Sequence, residues 1–150
     1  MLSKKTRYAL NALIRLATDY EKGAVQISDI AHSERIPQRF LENILLELKN
    51  VGLLGSKLGK NGGYFLLKSP DEINLAQIIR HFEGAIALIY CVSERAYKPC
   101  EFCKEEESCK LRNTFKNIRD YTFTILENTT LSELIDDNRP TNETADNYSI

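Results

Sequence analysis

The stretch PQRFLENILLELKNVGLLGSKLGKNGGYFLL, residues 37–67, decides the fold of this chain. Its first half places apolar residues at the spacing of one helical face, which predicts an amphipathic helix. Pro37 suits the first helical position because its missing N–H would have no partner there, and Gly52 is a good C-terminal stop. We expect the buried stripe of this helix to consist of Leu41, Ile44, Leu45, Leu48 and Val51.

The second half of the stretch predicts a β-hairpin. Two short strand-like runs flank the turn sequence GKNGG, residues 59–63. Asn-Gly followed by a further glycine adopts positive φ at low cost, as tight hairpins require. Lys57, Lys60 and Asn61 lie at or beside this turn, where they are candidate contacts of a wing with a DNA backbone or minor groove. The alternative is an ordinary hairpin whose lysines only keep it soluble.

Two helices are predicted upstream, and with the helix of residues 37–51 they make a helix-turn-helix. The first spans about residues 3–20, and the short second helix turns Ile27, Ile30 and Ala31 inward. The outer face of the third helix, near its N-terminus, offers side chains that can read base edges or hold phosphates. These candidates are Gln38, Arg39, Glu42 and Asn43. Any three-helix bundle has a solvated face of this kind, so the helices alone leave both interpretations open.

Downstream, Asn74 is placed to cap a fourth helix, which Gly84 ends. From about residue 110 to 128, apolar positions recur at spacings of 4, 3, 4 and 3, a near-heptad seam that suits packing against a partner helix. The same seam could instead dock on the core of its own chain. It consists of Leu111, Phe115, Ile118, Thr122 and Ile125.

The charge of the chain is unevenly distributed. Residues 1–68 hold 11 Lys/Arg against 6 Asp/Glu, a net of +5, and residues 69–150 hold 9 against 15, a net of −6. A basic half beside an acidic half is typical of a nucleic-acid reader with a regulatory portion, although unrelated solvated faces can differ in this way too. No apolar run approaches the ~20 residues of a membrane span, and the N-terminus lacks a signal-peptide core. We therefore expect a cytoplasmic protein without a membrane partner.

All four cysteines, Cys91, Cys100, Cys103 and Cys109, lie between the fourth helix and the long helix, spaced C-x8-C-x2-C-x5-C. In the cytoplasm such a group more often binds metal than forms disulfides. One interpretation is an iron–sulfur cluster, which takes thiolates, usually four. A structural zinc also suits four thiolates, although the paired C-x2-C halves of most zinc ribbons are missing. A thiol switch without metal is the third, with a reversible Cys100–Cys103 disulfide.

The sequence contains no catalytic constellation. It has no G-x-S-x-G, no phosphate-cradling glycine loop that opens a helix and no H-E-x-x-H. The two histidines, His32 and His81, lie on predicted helices far in sequence from the cysteines, and we interpret them as surface or packing residues. We expect a binding protein and not an enzyme.

Motifs along nearly the whole chain, about residues 1–135, carry a family resemblance. They are Arg7-Tyr8-Ala9, Val25-x-Ile27-x-Asp29-Ile30-Ala31, Ile36-x3-Phe40-Leu41-x2-Ile44-x3-Leu48-x2-Val51-Gly52-Leu53 and Gly59-x2-Gly62-Gly63-Tyr64, then the cysteine loop and the long helix. In this order they resemble the winged helix-turn-helix transcription regulators typified by the iron–sulfur cluster regulator IscR and the nitric-oxide sensor NsrR.

The resemblance implies a homodimeric regulator that binds a pseudo-palindromic operator in double-stranded DNA. It also implies that the protein senses iron–sulfur, redox or nitric-oxide status. On the family pattern, Cys91, Cys103 and Cys109 would hold a 2Fe–2S or 4Fe–4S cluster. The alternative is a zinc-stabilised or thiol-switch regulator, or a protein-interaction module, without such a cluster.

Two departures from the family pattern concern the remaining ligand. The histidine that IscR supplies after its last cysteine is Arg112 here, and the acidic first-helix ligand of NsrR is Arg7. Cys100, an extra cysteine in the loop, is therefore the expected substitute.

The chain is predicted to divide into four segments. Residues 1–84 are the winged helix-turn-helix DNA-binding domain, and residues 85–109 are the cysteine-rich, cluster-binding loop. Residues 110–136 are the dimerisation helix and a short last helix, for which Thr130 begins a capping-box pattern. Residues 137–150 are polar and without periodicity, which predicts a disordered tail.

Overall fold

Four α-helices precede the cysteine loop and two follow it in the computed structural model, which describes residues 2–103 and 105–136. The helices are α1 (Lys4–Thr18), α2 (Ile27–Ser33), α3 (Gln38–Asn50), α4 (Leu75–Glu83), α5 (Lys110–Asn128) and α6 (Leu131–Ile135). An antiparallel hairpin, β1 (Leu54–Lys57) and β2 (Gly63–Leu66), follows α3, and 3-10 turns lie at Pro70–Glu72 and Tyr90–Val92. This order has the expected mainly α architecture with a hairpin wing.

Short polar side chains start three of the helices. The side-chain oxygens of Ser3, Asn74 and Thr130 accept hydrogen bonds from the backbone N–H three residues on, at 3.2, 3.0 and 3.3 Å. Each cap satisfies a donor that the first helical turn leaves without a partner. The predicted caps at Asn74 and Thr130 are thus confirmed, whereas Pro37 precedes α3 and occupies its N-cap position.

The core lies between α1, α3, α4 and the hairpin. On α3, Leu41, Ile44, Leu45 and Leu48 are each 0% exposed, as the predicted stripe requires. Val51 was expected in that stripe, and this prediction is wrong, because its side chain is 46% exposed. The helix ends at Asn50 and the chain turns at Gly52, so Leu53, 8% exposed, takes the next core position instead.

The hairpin is anchored to the segment that precedes α2. Its strands pair with Lys57 opposite Gly63. Val25 exchanges two backbone hydrogen bonds with Tyr64, at 2.8 and 2.9 Å, and so adds a one-residue bridge to the sheet. Gly63 has φ +143°, and a Cβ there would collide with the Val25 carbonyl, so glycine is required where the two segments meet.

The last two helices differ in how they meet this core. None of the residues of α5, all of them described, is buried. In α6, Leu131 is 0% exposed, and its N–H donates to the Ile73 carbonyl at 2.9 Å. After α5, the chain therefore returns to the core formed by α1, α3, α4 and the hairpin. No helix in the described part of the chain is long and apolar enough to cross a membrane. The predicted tail, residues 137–150, lies outside the described residues.

Candidate functional site: DNA-reading face and cysteine loop

The polar residues predicted to read DNA lie together on the outer side of α3. Gln38, Arg39, Glu42 and Asn43 occupy its first turns, and all four are exposed. The amide nitrogen of Asn43 donates to the Arg39 carbonyl at 3.5 Å. Since the opposite side of α3 is fixed in the core, these side chains are presented by a rigid helix, as base-edge readout requires.

The predicted wing residues are also exposed. Lys57 ends β1, and Lys60 and Asn61 lie in the loop between the strands. One contact was not predicted: the side-chain amide of Gln26 donates to the Lys60 carbonyl at 2.9 Å. It joins residues 34 apart in the chain, so no local pattern reveals it. This hydrogen bond holds the wing loop against the start of α2.

The four cysteines of the loop differ in burial. Cys91 is 6% exposed within the 3-10 turn, whereas Cys100, Cys103 and Cys109 are half-buried, and all four are free. The N–H of Cys103 donates to the Cys100 carbonyl at 3.3 Å, which closes a turn. Cys109 caps α5, because its Sγ accepts the N–H of Arg112 at 3.4 Å. The positive end of the helix dipole favours a thiolate at that position.

Three of the thiols form a chain of contacts. The thiol of Cys103 hydrogen-bonds that of Cys109, which raises the pKa of Cys103 to about 12 and lowers the pKa of Cys109. The backbone N–H of Arg112 lowers the pKa of Cys109 further. The Cys103 thiol also contacts Cys100. The thiols of Cys100, Cys103 and Cys109 are therefore close enough to influence one another's ionisation.

The donor set fits an iron–sulfur cluster in its chemistry, since such clusters are held by cysteine thiolates, usually four. Three of the thiols are neighbours, and Cys91 is joined to Cys109 through Arg112, which bonds to both residues. Among the described residues, no three His, Cys, Asp or Glu side chains are grouped as the ligands of one metal ion would be.

Two arginines of α5 clamp the 3-10 turn that contains Cys91. Arg112 Nε donates to the Cys91 carbonyl at 3.2 Å and lies 3.6 Å from the Glu106 carboxylate. One heptad later on the same face of α5, Arg119 Nη1 donates to the carbonyl of Val92. Sequence reasoning missed both roles, because the contacts span 21 and 27 residues. The seven-residue spacing of the two arginines was the only available signal.

Comparison with known proteins gives a family over nearly the whole chain. The model of the Rrf2 family, described as iron-dependent transcriptional regulator, matches residues 2–137. An rrf2-like HTH-type transcriptional regulator of Rhodobacter capsulatus is 36% identical over 138 residues, which cover 90% of this chain and 92% of the relative. The HTH-type transcriptional regulator NsrR of Bacillus licheniformis is 31% identical, over 89% of this chain and 91% of its own.

A solved structure has the same architecture. CymR, the global cysteine regulator of B. subtilis, is similar with a TM-score of 0.76 at 32% identity, over 90% of this chain and 95% of that chain. The expected winged-helix fold is thereby confirmed. These relatives are transcription regulators, which also confirms that the chain is of a DNA-binding class and not an enzyme.

Proposed function

Because this chain belongs to the Rrf2 family of iron-dependent transcriptional regulators, we propose that it binds a pseudo-palindromic operator as a homodimer and senses through its cysteine loop. Transcription regulation through DNA binding follows from the family; the operator geometry, the dimer and the sensing are the proposal. The observation that carries it is the rigid, exposed polar face of α3 beside the wing.

In the proposed complex, α3 enters the major groove and the wing lies on the backbone. The α3 residues read base edges, and the wing residues hold phosphates and fix the register. The base-reading set is Gln38, Arg39, Glu42 and Asn43, and the wing set is Lys57, Lys60 and Asn61.

The proposed dimer forms through α5. Its seam is uncovered within one chain, with Leu111, Ile118 and Ile125 exposed by 64, 43 and 50%. Beside it runs a groove of about 490 Å³, lined by residues that include Ile79, Leu88 and Ile118. An apolar seam with a near-heptad spacing is most simply covered by the same helix of a second copy, related by a twofold axis.

We assign an iron–sulfur cluster to Cys91, Cys103 and Cys109, with Cys100 as the fourth ligand. When bound, the cluster would supply iron chemistry that responds to oxidants and to nitric oxide. Arg112 cannot ligate iron, because a guanidinium stays protonated in proteins. The contact between the thiols of Cys100 and Cys103 supports Cys100 as the replacement.

Operator binding tests the assignment of the DNA-reading face. Arg39→Ala and Glu42→Ala should each reduce the discrimination between operator and random DNA, by about 1–3 kcal/mol per lost base contact. Lys60→Ala should weaken binding to both DNAs nearly equally and reduce the salt slope by about one unit. Lys116→Ala, an exposed lysine of α5 outside both residue sets, is the control. Equal losses on both DNAs for all three variants would contradict the division of roles.

Metal analysis tests the cofactor. Protein purified without oxygen should contain iron and inorganic sulfide and absorb visible light. Cys100→Ala should lose or shift that absorption, whereas Ser108→Ala, also in the loop, should keep it. A colourless wild-type protein without iron would overturn the cluster assignment. Zinc bound in place of iron would support the alternative of a structural four-thiolate site.

A thiol switch is the second candidate, and the contact between Cys103 and Cys109 favours it. Oxidation of this pair by a hydroperoxide would form one S–S bond, with two electrons and two protons passing to the peroxide to give water and an alcohol. Peptide mapping by mass spectrometry after peroxide treatment tests it. A Cys103–Cys109 disulfide that changes operator affinity in metal-free protein is the expected result. Unchanged affinity with the disulfide present would exclude the switch.

A further inference from the structure

We propose that Arg80 and Arg119, bridged by Glu94, are positioning residues that connect the cysteine turn to the DNA-reading helix. The inference deepens the proposed function, and rests on it, by assigning how the state of the cysteine loop reaches α3. The three residues lie on α4, on α5 and in the loop between them.

The first link joins α5 to the cysteine turn. Arg119 has a side chain only 15% exposed, and its Nη1 donates to the carbonyl of Val92, the residue after Cys91. Val92 itself is 3% exposed. A buried carbonyl that loses its donor is costly, so α5 and this turn are held together. Any rearrangement of the Cys91 backbone therefore changes how α5 is held.

The second link joins α5 to α4 through Arg80. Glu94 Oε2 lies 3.2 Å from Arg80 Nη2, and its other oxygen lies 3.8 Å from Arg119 Nη2. The Arg80 guanidinium also lies over the ring of Phe123 on α5, at 3.9 Å from the centroid. Glu94 is 60% exposed, so its ion pairs alone are weak. The stacking on Phe123 fixes the Arg80 guanidinium more firmly, because it requires a planar cation in contact with the ring.

The third link joins α4 to the DNA-reading helix. His81 follows Arg80 on α4, and its Nε2 lies 3.0 Å from Glu47 Oε1 on α3. The other oxygen of Glu47 pairs with Lys5 on α1 at 2.5 Å. Glu47 lies one turn beyond Asn43, on the helix that carries the base-reading residues. Because packed helices shift as units, a small movement of α4 changes the position of the reading face.

Operator affinity in two states of the loop tests the connection. The dimeric wild type is compared after anaerobic loading with iron and sulfide, and after chelation with its thiols kept reduced. The ratio of the two dissociation constants should lie in the range of about 5–150 that allosteric connections typically give. In Arg80→Ala the two dissociation constants should differ by less than about twofold. Arg95→Ala, an exposed loop arginine beside Glu94, is the matched control and should keep the wild-type ratio.

A merely structural role would lower the melting temperature without changing the ratio, so both are measured. Arg80→Ala should keep its melting temperature within about 3 °C of the wild type. Arg119→Ala should reduce the ratio as Arg80→Ala does. The double variant should reduce the ratio of dissociation constants no further than either single variant does, because the two residues act in series. Additive losses in the double variant would contradict the series.

Two outcomes separate the failure of the inference from failure of the proposed function. A wild type that responds to the loop state, with an Arg80→Ala variant that responds equally, would overturn the connection alone. A wild type with equal affinity in both states would overturn the proposed sensing and the connection with it.

In chelated protein, amide exchange of residues 38–43 should rise by at least about threefold in Arg80→Ala and stay unchanged in Arg95→Ala. Unchanged exchange in both variants would overturn the positioning role directly.

Discussion

The DNA-reading module, formed by α1 to α4 and the hairpin, and the long helix α5 are stabilised in different ways. In α3, four leucine and isoleucine side chains are fully buried, and α1, α4, the hairpin and Leu131 of α6 complete the core around them. In α5, 19 residues long, no side chain is buried, and apolar residues face outward at helical spacing. Arg112 and Arg119 of α5 hold it to the cysteine turn by hydrogen bonds to backbone carbonyls.

Because of this difference, the folding stability of the protein and its proposed response to the state of the cysteine loop depend on different parts of the molecule. The free energy of folding resides in the apolar core of the DNA-reading module, which one chain completes by itself. The position of α5 depends on hydrogen bonds with the cysteine turn, on the contact of Phe123 with Arg80 of α4, and on a second chain in the proposed dimer. Elements held in this way are the ones that move when a protein changes state. The following variants test this contrast.

The largest effect is expected at the centre of α3. Leu45→Ala should lower the free energy of unfolding by about 2–5 kcal/mol, because a fully buried leucine leaves a cavity. Leu111→Ala on α5, 64% exposed in one chain, should change it by less than about 0.5 kcal/mol when measured on the monomer. Urea denaturation measures both. Similar losses in the two variants would abolish the contrast.

The second effect concerns the junction of the wing and α2. Gly63→Ala should destabilise the protein by about 1–3 kcal/mol and weaken operator binding, since a Cβ meets the Val25 carbonyl and φ is positive. Gly59→Ala, also at positive φ but in open space, should cost only the backbone strain of about 1–2 kcal/mol. Thermal unfolding compares them. A Gly63→Ala variant as stable as Gly59→Ala would show that Gly63 and Val25 can move apart at little cost in free energy.

A charge placed in the α5 seam tests the proposed dimer. Ile118→Asp should dissociate it and reduce apparent operator affinity by at least about tenfold, because each chain then loses its paired half-site contact. Lys116→Asp, on the same helix but off the seam, is the matched control. Analytical ultracentrifugation reports the association state. A dimer that persists in Ile118→Asp would place the interface elsewhere.

The smallest effect is a pH dependence at Glu47. The hydrogen bond from Lys5, with His81 nearby, lowers the pKa of Glu47 below its ordinary value of 4.5. A lowered folded-state pKa means that this stabilisation is present above pH 4.5 and is lost as the pH falls through the folded-state value. Glu47→Gln should remove that part of the acid dependence, by less than about 1 kcal/mol because the pair is partly exposed. Denaturation curves from neutral to acid pH, compared with Glu42→Gln, measure it.

Much of the fold was predictable because its signals are local. The α3 stripe, the caps at Asn74 and Thr130 and the glycine-rich turn each depend on residues close in sequence. The error at Val51 has a local cause as well, since a helical period cannot show at which residue the helix ends. Of the candidate site, the exposure of the α3 and wing residues followed from the same patterns. The roles of Gln26, Arg112 and Arg119 did not, because their partners lie 21 to 34 residues away in the chain.

The sequence by itself determined the order of elements, the polar face of α3, the wing and the grouping of four cysteines in one loop. Periodicity, turn residues and spacing predict these features, because each of these signals acts over a few residues. Only the tertiary structure decided that the thiols of Cys100, Cys103 and Cys109 are neighbours, and that arginines of α5 bond to backbone carbonyls of the cysteine turn. It also decided that Arg80 of α4 contacts α5 by stacking on Phe123. Hydrogen bonds to a distant backbone depend on how helices pack, and no residue pattern encodes that geometry directly.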